Sequence, residues 1–345
     1  KDYLKYTEPD FDINSVSKSV FVTNDAEVRF KFFKKSLSSV GVVQSSAQAT
    51  VANFLITDTS ISNQSTRNQI AFWASHYHHI TIINTMISAS IRQEIVDNKP
   101  LPFIPSLGFN TKLHKYFNIY GKIGRVYRIP TLNDLYWIPG GNPTLKPESG
   151  WAGELSGEFN RKTKKVDFTT SVTAFGRIIE NWILWQPVSS QLWSPLNIGK
   201  VYSRGIEIRG NFKIFFTKNL SGRAGFSFDY TKSENKDINS TNFGKQLLYV
   251  PFVKSSLFVG LLPGYGFTIL LNGIIVGKRY VSSDNLDFTP YYTLINFALS
   301  RDLKFKTTGI TIFGKINNIL DKYYETIIWR PMPGINYELG IRVNF

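Results

Sequence analysis

Apolar and polar residues alternate at every second position over much of this chain, and no other feature restricts its fold so strongly. At the C-terminus Tyr337, Leu339, Ile341, Val343 and Phe345 share one face, and Asn336, Glu338, Gly340, Arg342 and Asn344 share the other. Over 205–212, Ile206, Ile208, Gly210 and Phe212 stand opposite Gly205, Glu207, Arg209 and Asn211. Over 220–231, Leu220, Gly222, Ala224, Phe226, Phe228 and Tyr230 stand opposite Ser221, Arg223, Gly225, Ser227, Asp229 and Thr231. A helix mixes such sets within one turn, whereas a strand separates them. The chain therefore reads as strands with one apolar, aromatic face and one polar, charged face.

A soluble antiparallel sandwich alternates in the same way. Strand length and loop rhythm separate the two. The segments run to roughly 10–14 residues, longer than soluble strands and suited to tilted membrane crossings. Connections alternate between short and long, as outer-membrane barrels require of their periplasmic and extracellular ends. Short turns are expected at 34–39, 76–80, 113–118, 160–165, 215–219, 262–266 and 301–307, and long loops at 54–67, 93–102, 129–150, 182–200, 232–245, 279–290 and 320–334. The expected fold is an all-β, transmembrane antiparallel barrel with 15 or 16 strands in this chain, the long loops outside. No helix-period segment exceeds two turns. The uncharged stretch 255–277 carries Pro263-Gly264-Tyr265-Gly266 at its centre, so it reads as a hairpin of strands 247–262 and 267–277 rather than a membrane helix.

Composition agrees. The chain of 345 residues has 27 Phe, 17 Tyr and 7 Trp, yet its mean hydropathy is only -0.13, as expected when lipid-facing and lumen-facing residues cancel. Zero cysteines exclude a disulfide scaffold, a Cys-based zinc site and a thiol nucleophile. The N-terminal Lys1-Asp2-Tyr3-Leu4-Lys5 has no export-signal pattern. The formal charge of +15 gathers at the short turns, in Lys34, Lys35, Lys112, Lys115, Arg161, Lys162, Lys164, Lys165, Lys213, Lys218, Arg301, Lys304 and Lys306. Basic residues at a membrane rim suit lipid or lipopolysaccharide headgroups. No nucleic-acid motif accompanies them, so no nucleic-acid partner is expected.

Three segments resemble the TonB-dependent outer-membrane transporter family. Arg125 to Trp137 (RVYRIPTLNDLYW) is similar to its "FR-x-PT-x-x-x-L" stretch, and Gly141 to Glu148 (GNPTLKPE) to its "GNP-x-LKPE" segment. Asn317 to Tyr324 (NNILDKYY) resembles the "N-x-L/F-D-K-x-Y" of the penultimate strand, and Phe345 follows Met332-Pro333-Gly334 as in relatives, although Ile335 replaces the usual Arg. The resemblance implies a barrel of about 22 strands around an N-terminal plug. At roughly 22 residues per strand and connection that needs on the order of 470 residues, so residues 1–345 are expected to be the C-terminal two-thirds of the barrel, without plug or first strands. It further implies uptake energised by the TonB complex of a scarce small molecule such as cobalamin, a ferric siderophore or haem, with vitamin B12- and siderophore-type members nearest. Its implied partners are TonB, the plug, the small-molecule ligand and an outer-surface lipoprotein. The alternatives are a passive porin of about 16 strands and a structural outer-membrane partner that no longer transports.

Site residues follow. Glu154, Glu158, Glu207, Arg209, Arg223, Glu338 and Arg342 fall on the polar face, expected to be a lumen wall against the plug, with Asp167 and Asp229 beside them. A solvated polar face is the plainer alternative. Tyr136, Trp137, Trp193 and Trp329 are candidate ligand contacts on outer loops, against the alternative of an interfacial aromatic girdle, to which Trp182 and Trp185 are assigned. Phe345 is implied by the resemblance as an assembly signal. His76 and His78 share a strand face, but no third ligand stands at usable spacing, and a His-rich turn is the preferred reading. No nucleophile elbow or P-loop occurs, so neither catalysis nor a resident cofactor or metal is expected, although the transported ligand can carry a metal.

Overall fold

The computed structural model describes residues 2–8, 13–31, 35–53, 61–137, 140–189, 192–305 and 308–344. Strands β1 (Asp2–Glu8), β2 (Ile13–Phe30), β3 (Ser36–Asn53), β4 (Ile61–Ile80), β5 (Thr85–Val96), β6 (Lys99–Pro100), β7 (Ile104–His114) and β8 (Phe117–Arg128) come first. A five-residue helix, α1 (Leu132–Tyr136), precedes β9 (Glu148–Lys162), β10 (Val166–Pro187), β11 (Trp193–Phe215), β12 (Ser221–Asn235), β13 (Val253–Gly264) and β14 (Phe267–Val276). Hairpin β15 (Arg279–Tyr280)/β16 (Phe288–Thr289) leads to β17 (Tyr292–Lys304) and β18 (Gly309–Asn317). Hairpin β19 (Glu325–Ile327)/β20 (Arg330–Pro331) leads to β21 (Asn336–Asn344). Among the described residues the main sheet has 17 strands, one of them the two-residue β6, which leaves the long strands at the expected number. No helix among these residues is long and apolar enough to cross a membrane.

The chain forms two compact units, Lys1–Thr111 with Gly121–Gly153 and Arg177–Val201, and Lys112–Tyr120 with Glu154–Gly176 and Tyr202–Phe345. In the first, antiparallel register puts Val40 opposite Ala74, Ala74 opposite Ile91 and Ile91 opposite Pro105, an apolar row that continues into exposed Phe72, Ile87 and Leu107. The opposite face pairs Trp73 with Gly41 and Arg92. Only a glycine leaves room there, because a Cβ at Gly41 would lie 2.5 Å from the Trp73 ring. In the second unit, β18 and β21 pair Ile316 with Tyr337, Gly314 with Leu339, Ile312 with Ile341 and Ile310 with Val343. Leu339 is 87% exposed and Ile341 69%, which suits lipid as solvent rather than water. The other face pairs Asn317 with Asn336, Lys315 with Glu338, Phe313 with Gly340 and Thr311 with Arg342.

Several expected boundaries change: residues 36–39 of the expected 34–39 turn belong to β3, and residues 61–67 of the expected 54–67 loop belong to β4. Residues 76–80 are strand, and the turn is Thr81 to Asn84, so His76 and His78 sit on the apolar face of β4 rather than in a turn. The stretch 93–102 is no long loop. Asp97 and Asn98 both take positive φ (47° and 65°) and close β5 onto β6 in two residues, the geometry of a tight primed turn. Most of 182–200 is strand, leaving 188–192 as the connection, because β10 and β11 keep pairing beyond the length a bilayer demands. Strand 247–262 starts only at Val253, but its hairpin turn stands, with Tyr265 and Gly266 at φ 50° and 79°. Short turns carry cations over aromatic rings in the second unit: Lys115 over Tyr116 (4.7 Å), Lys213 over Phe215 (4.9 Å) and Arg301 over Phe267 (4.7 Å). Phe345, Lys34, Lys306 and part of the 54–67 loop lie outside the described residues.

Candidate ligand-binding site

In the first unit the connection from β8 to β9 is built around two acidic side chains. Thr131 caps α1: its hydroxyl accepts from Asp134 N (3.0 Å), and the Asp134 carboxylate accepts from Thr131 N (2.8 Å). This reciprocal pair satisfies two otherwise orphaned donors at the helix start, which is why so short a helix persists. Asp134 is buried and also accepts from the Trp185 indole N–H (2.9 Å). Glu148, buried at the start of β9, receives Arg128 through Nε (2.9 Å) and Nη2 (2.7 Å), and accepts from the Ile183 backbone N–H (2.7 Å). Two-pronged Arg–carboxylate pairing fixes orientation as well as distance.

The rest of the connection is fastened to the strands beside it. Asn142 N donates to Asp134 O (2.8 Å) and its side chain to Pro195 O (3.1 Å). Asn197 accepts from Lys146 N (2.8 Å) and donates to Asn181 O (2.7 Å). Gly140 turns at φ +110°, and a Cβ there would meet the Trp193 carbonyl at 2.1 Å, so the backbone bend requires glycine. These contacts give the Pro-Thr-Leu-Asn-Asp-Leu and Gly-Gly-Asn-Pro runs a physical reason.

Tyr136 ends α1 and Trp137 is its C-cap, both half-buried. Trp193 is the first residue of β11 rather than a loop residue, and its backbone borders the turn that follows Trp137. Trp185, read as a girdle residue, directs its N–H to α1; Trp182 lies under Arg177 (5.1 Å). The sequence reading missed Arg128, Asp134, Glu148, Trp185 and Asn197 as a fastening set. The Thr-x-x-Asp spacing ahead of an apolar run was the one local signal for it.

In the second unit two long connections meet at Arg279. It is buried, donates to Thr326 O (2.9 Å) and Glu325 O (2.5 Å), and lies over the Tyr292 ring (5.3 Å), which packs on Tyr324 (4.6 Å). Glu325 accepts from the Tyr323 hydroxyl (2.6 Å) and from Trp329 N (3.1 Å), and the first bond holds the Tyr323 phenol above its usual pKa range. Trp329 itself is 84% exposed at φ 64°, a left-handed conformation that a tryptophan rarely takes. The "NILDKYY" run is a turn: Asn318 exchanges bonds with Lys322 N and O (both 2.9 Å), and Asp321 accepts from Ile335 N (2.8 Å).

On the wall of this unit, Arg209 bridges Asp229 (2.5 Å) and Glu207 (3.3 Å), and Lys315 meets Glu338 (3.1 Å). Arg223 covers Gly260, and Arg342 lies opposite Thr311. Glu154 and Glu158 share a face of β9, as their spacing on one strand requires. In the first unit the His76 and His78 rings stack at 6.4 Å, each Nδ1 held at 2.8 Å by Ser38 and Ser36 respectively, and no cluster of three metal-ligating side chains occurs among the described residues.

Antiparallel register with one apolar and one polar, charged strand face is the pattern of a transmembrane β-barrel wall. The model for "TonB dependent receptor-like, beta-barrel" matches residues 3–319, and the chain belongs to that family. Two curated relatives are named vitamin B12 transporter BtuB. The protein from Photobacterium profundum is 28% identical over 205 residues, 58% of this chain and 31% of that protein. The one from Vibrio vulnificus is 26% identical over 223 residues, 64% and 33% respectively. The matches thus span about a third of those proteins. Among solved structures, the copper transporter OprC superposes with a TM-score of 0.71 at 12% identity, over 96% of this chain and 56% of that one. The ferric yersiniabactin uptake receptor FyuA from Yersinia pestis gives 0.69 at 16%, over 99% and 56%. At such identities these structures speak for the fold alone.

Proposed function

We propose that this chain is the barrel part of a receptor that takes up a scarce small molecule across the outer membrane, energised by TonB acting on a plug within the lumen. Family membership carries this reading, and the family's marker runs coincide with the fastened outer segments. Cobalamin is the first ligand to test, because both relatives are named for vitamin B12 transport; ferric siderophores and haem follow. In this reading Tyr136, Trp137, Trp193 and Trp329 offer indole and phenol surface to a bulky ligand, with few rotatable bonds to freeze. Glu154, Glu158, Glu207, Arg209, Arg223, Glu338 and Arg342 face the plug, and nothing in the site asks for a catalyst. Equilibrium binding of cyanocobalamin, haem and a ferric siderophore panel to the full-length receptor tests it, with uptake followed in cells with and without TonB. Saturable binding of one of them with TonB-dependent uptake is expected. Uptake of small solutes at a rate indifferent to TonB would replace this reading with the passive porin.

A further inference from the structure

We propose that the outward face of β11 and β12, at the middle of β11 and the long-loop end of β12, binds the phosphates of an outer-leaflet lipopolysaccharide. The inference rests on the reading that the long loops face outside. Arg204 lies on the same side of β11 as apolar Ile206 and Ile208, and Lys232 and Glu234 on the same side of β12 as Phe228 and Tyr230. Glu234 is 4% exposed and holds three cations at once: Arg204 Nη1 at 2.9 Å from one oxygen, Lys232 Nζ at 3.1 Å and Lys236 Nζ at 3.5 Å from the other. One carboxylate neutralises one of the three. The surplus positive charges are forced together at a spacing where they repel unless a further anion joins them. The nearby Asp237 is engaged in its own turn, accepting from Asn239 N (3.0 Å).

Depth fits a headgroup. Arg204 stands roughly 11 residues above the short-turn end of β11, ~36 Å of strand, or ~28 Å of height at a tilt near 40°, just beyond an apolar band of ~25 Å. Aromatic rings underlie the cations: Arg204 over Tyr202 (4.8 Å), Lys236 over Phe243 (5.2 Å), and Lys278 over Tyr280 (5.0 Å) and Phe288 (5.1 Å). Tyr280 meets Phe252, which stacks on Tyr230 (both 6.4 Å), so an aromatic shelf for acyl chains runs beneath a basic strip for phosphate. The basic short turns differ: Lys115, Arg161, Lys213 and Arg301 cover rings and Lys162 pairs with Asp167, and among the described residues no buried carboxylate there holds three cations.

The test uses full-length receptor in detergent, with diphosphorylated lipid A, monophosphoryl lipid A and phosphatidylglycerol as probes and binding read by native mass spectrometry. The variant K232Q/K236Q keeps the Arg204–Glu234 pair, so the barrel is expected to assemble, as checked by heat-modifiable migration. Wild type should prefer the diphosphorylated lipid, and the variant should lose about 10- to 30-fold in affinity along with that preference. K115Q/K213Q, at the opposite rim, should bind as wild type. Equal binding by K232Q/K236Q, or equal wild-type binding of phosphatidylglycerol, would overturn the proposal. So would failed assembly of K232Q/K236Q, since the lysines would then be structural.

Discussion

Two segments that carry candidate tryptophans, the 129–147 connection with Trp137 and the 325–331 hairpin with Trp329, are held in opposite ways. In the 129–147 connection, Trp137 is half-buried and its neighbours are pegged by Asp134, Asn142, Glu148 and Asn197 to adjoining strands. In the 325–331 hairpin, Trp329 projects at φ 64° into solvent, and its backbone N–H is tied to Glu325. The first arrangement uses buried polar groups for rigidity. The second accepts backbone strain, of order 1–3 kcal/mol for a non-glycine in this region, and exposes an indole. An exposed aromatic on a strained backbone does not serve stability, so the hairpin is the better candidate for first contact with ligand and the connection for a fixed platform.

Removing the platform's anchor should have the largest effect. Glu148→Ala strands the Ile183 N–H and both prongs of the Arg128 fork, and should loosen the connection by about 3 kcal/mol, below the cost of a fully buried pair because Arg128 reaches water. Hydrogen exchange on the full-length receptor should show the Asn142 and Ile183 amides losing protection by roughly 100-fold, with the 325–331 amides unchanged. Equal loss in both segments would erase the contrast between them.

Trp329→Ala comes next. If the hairpin contacts ligand, affinity should fall by about 2 kcal/mol, roughly 30-fold, with barrel assembly intact. Trp329→Gly should match it in binding yet leave the hairpin more stable than the alanine variant, since glycine tolerates positive φ. Unaltered affinity for every ligand that wild type binds would return Trp329 to the plainer role of an interfacial anchor.

How much of this could be read from the residues depends on range. Alternation in 220–231 and 336–344 reads out both strands and which residues share a face, because a strand's side-chain period is fixed by the backbone itself. The turn at Tyr265-Gly266 was legible for the same local reason. Boundaries at 182–200 were not: whether Trp182 to Pro187 leave the sheet is decided by pairing with a strand still to come in the sequence. The family runs marked the 129–147 segment, but that Asp134 and Glu148 are its anchors depends on Trp185 and Ile183, some 35–51 residues away. Exposure and strain at Trp329 leave no trace in sequence.

Trp185→Phe should loosen only α1. The ring's packing remains, while the Asp134 carboxylate loses one donor, a cost of about 1 kcal/mol. Exchange at Asp134 and Leu135 should quicken by about fivefold, with Glu148 contacts retained. Ligand affinity should drop only if Tyr136 and Trp137 take part in binding. The variant therefore tests the platform without touching a candidate contact residue.

The smallest effect is expected on the polar face of β21, and its size decides what that face meets. Lys315 and Glu338 pair at 3.1 Å with both side chains 42–48% exposed in the barrel alone. Such pairs contribute well under about 1 kcal/mol in water, and less as salt rises. With the wall hydrated, Glu338→Gln should change urea unfolding of the full-length receptor by no more than about 0.5 kcal/mol, the difference vanishing at high salt. With a plug domain packed over it, the same substitution strips a partner from a desolvated lysine, and the loss should be larger and insensitive to salt. Arg342→Gln, on the same strand face, should follow the same pattern. A salt-insensitive loss at both positions supports plug contact along β21; a small, screened change at both marks the solvated polar face.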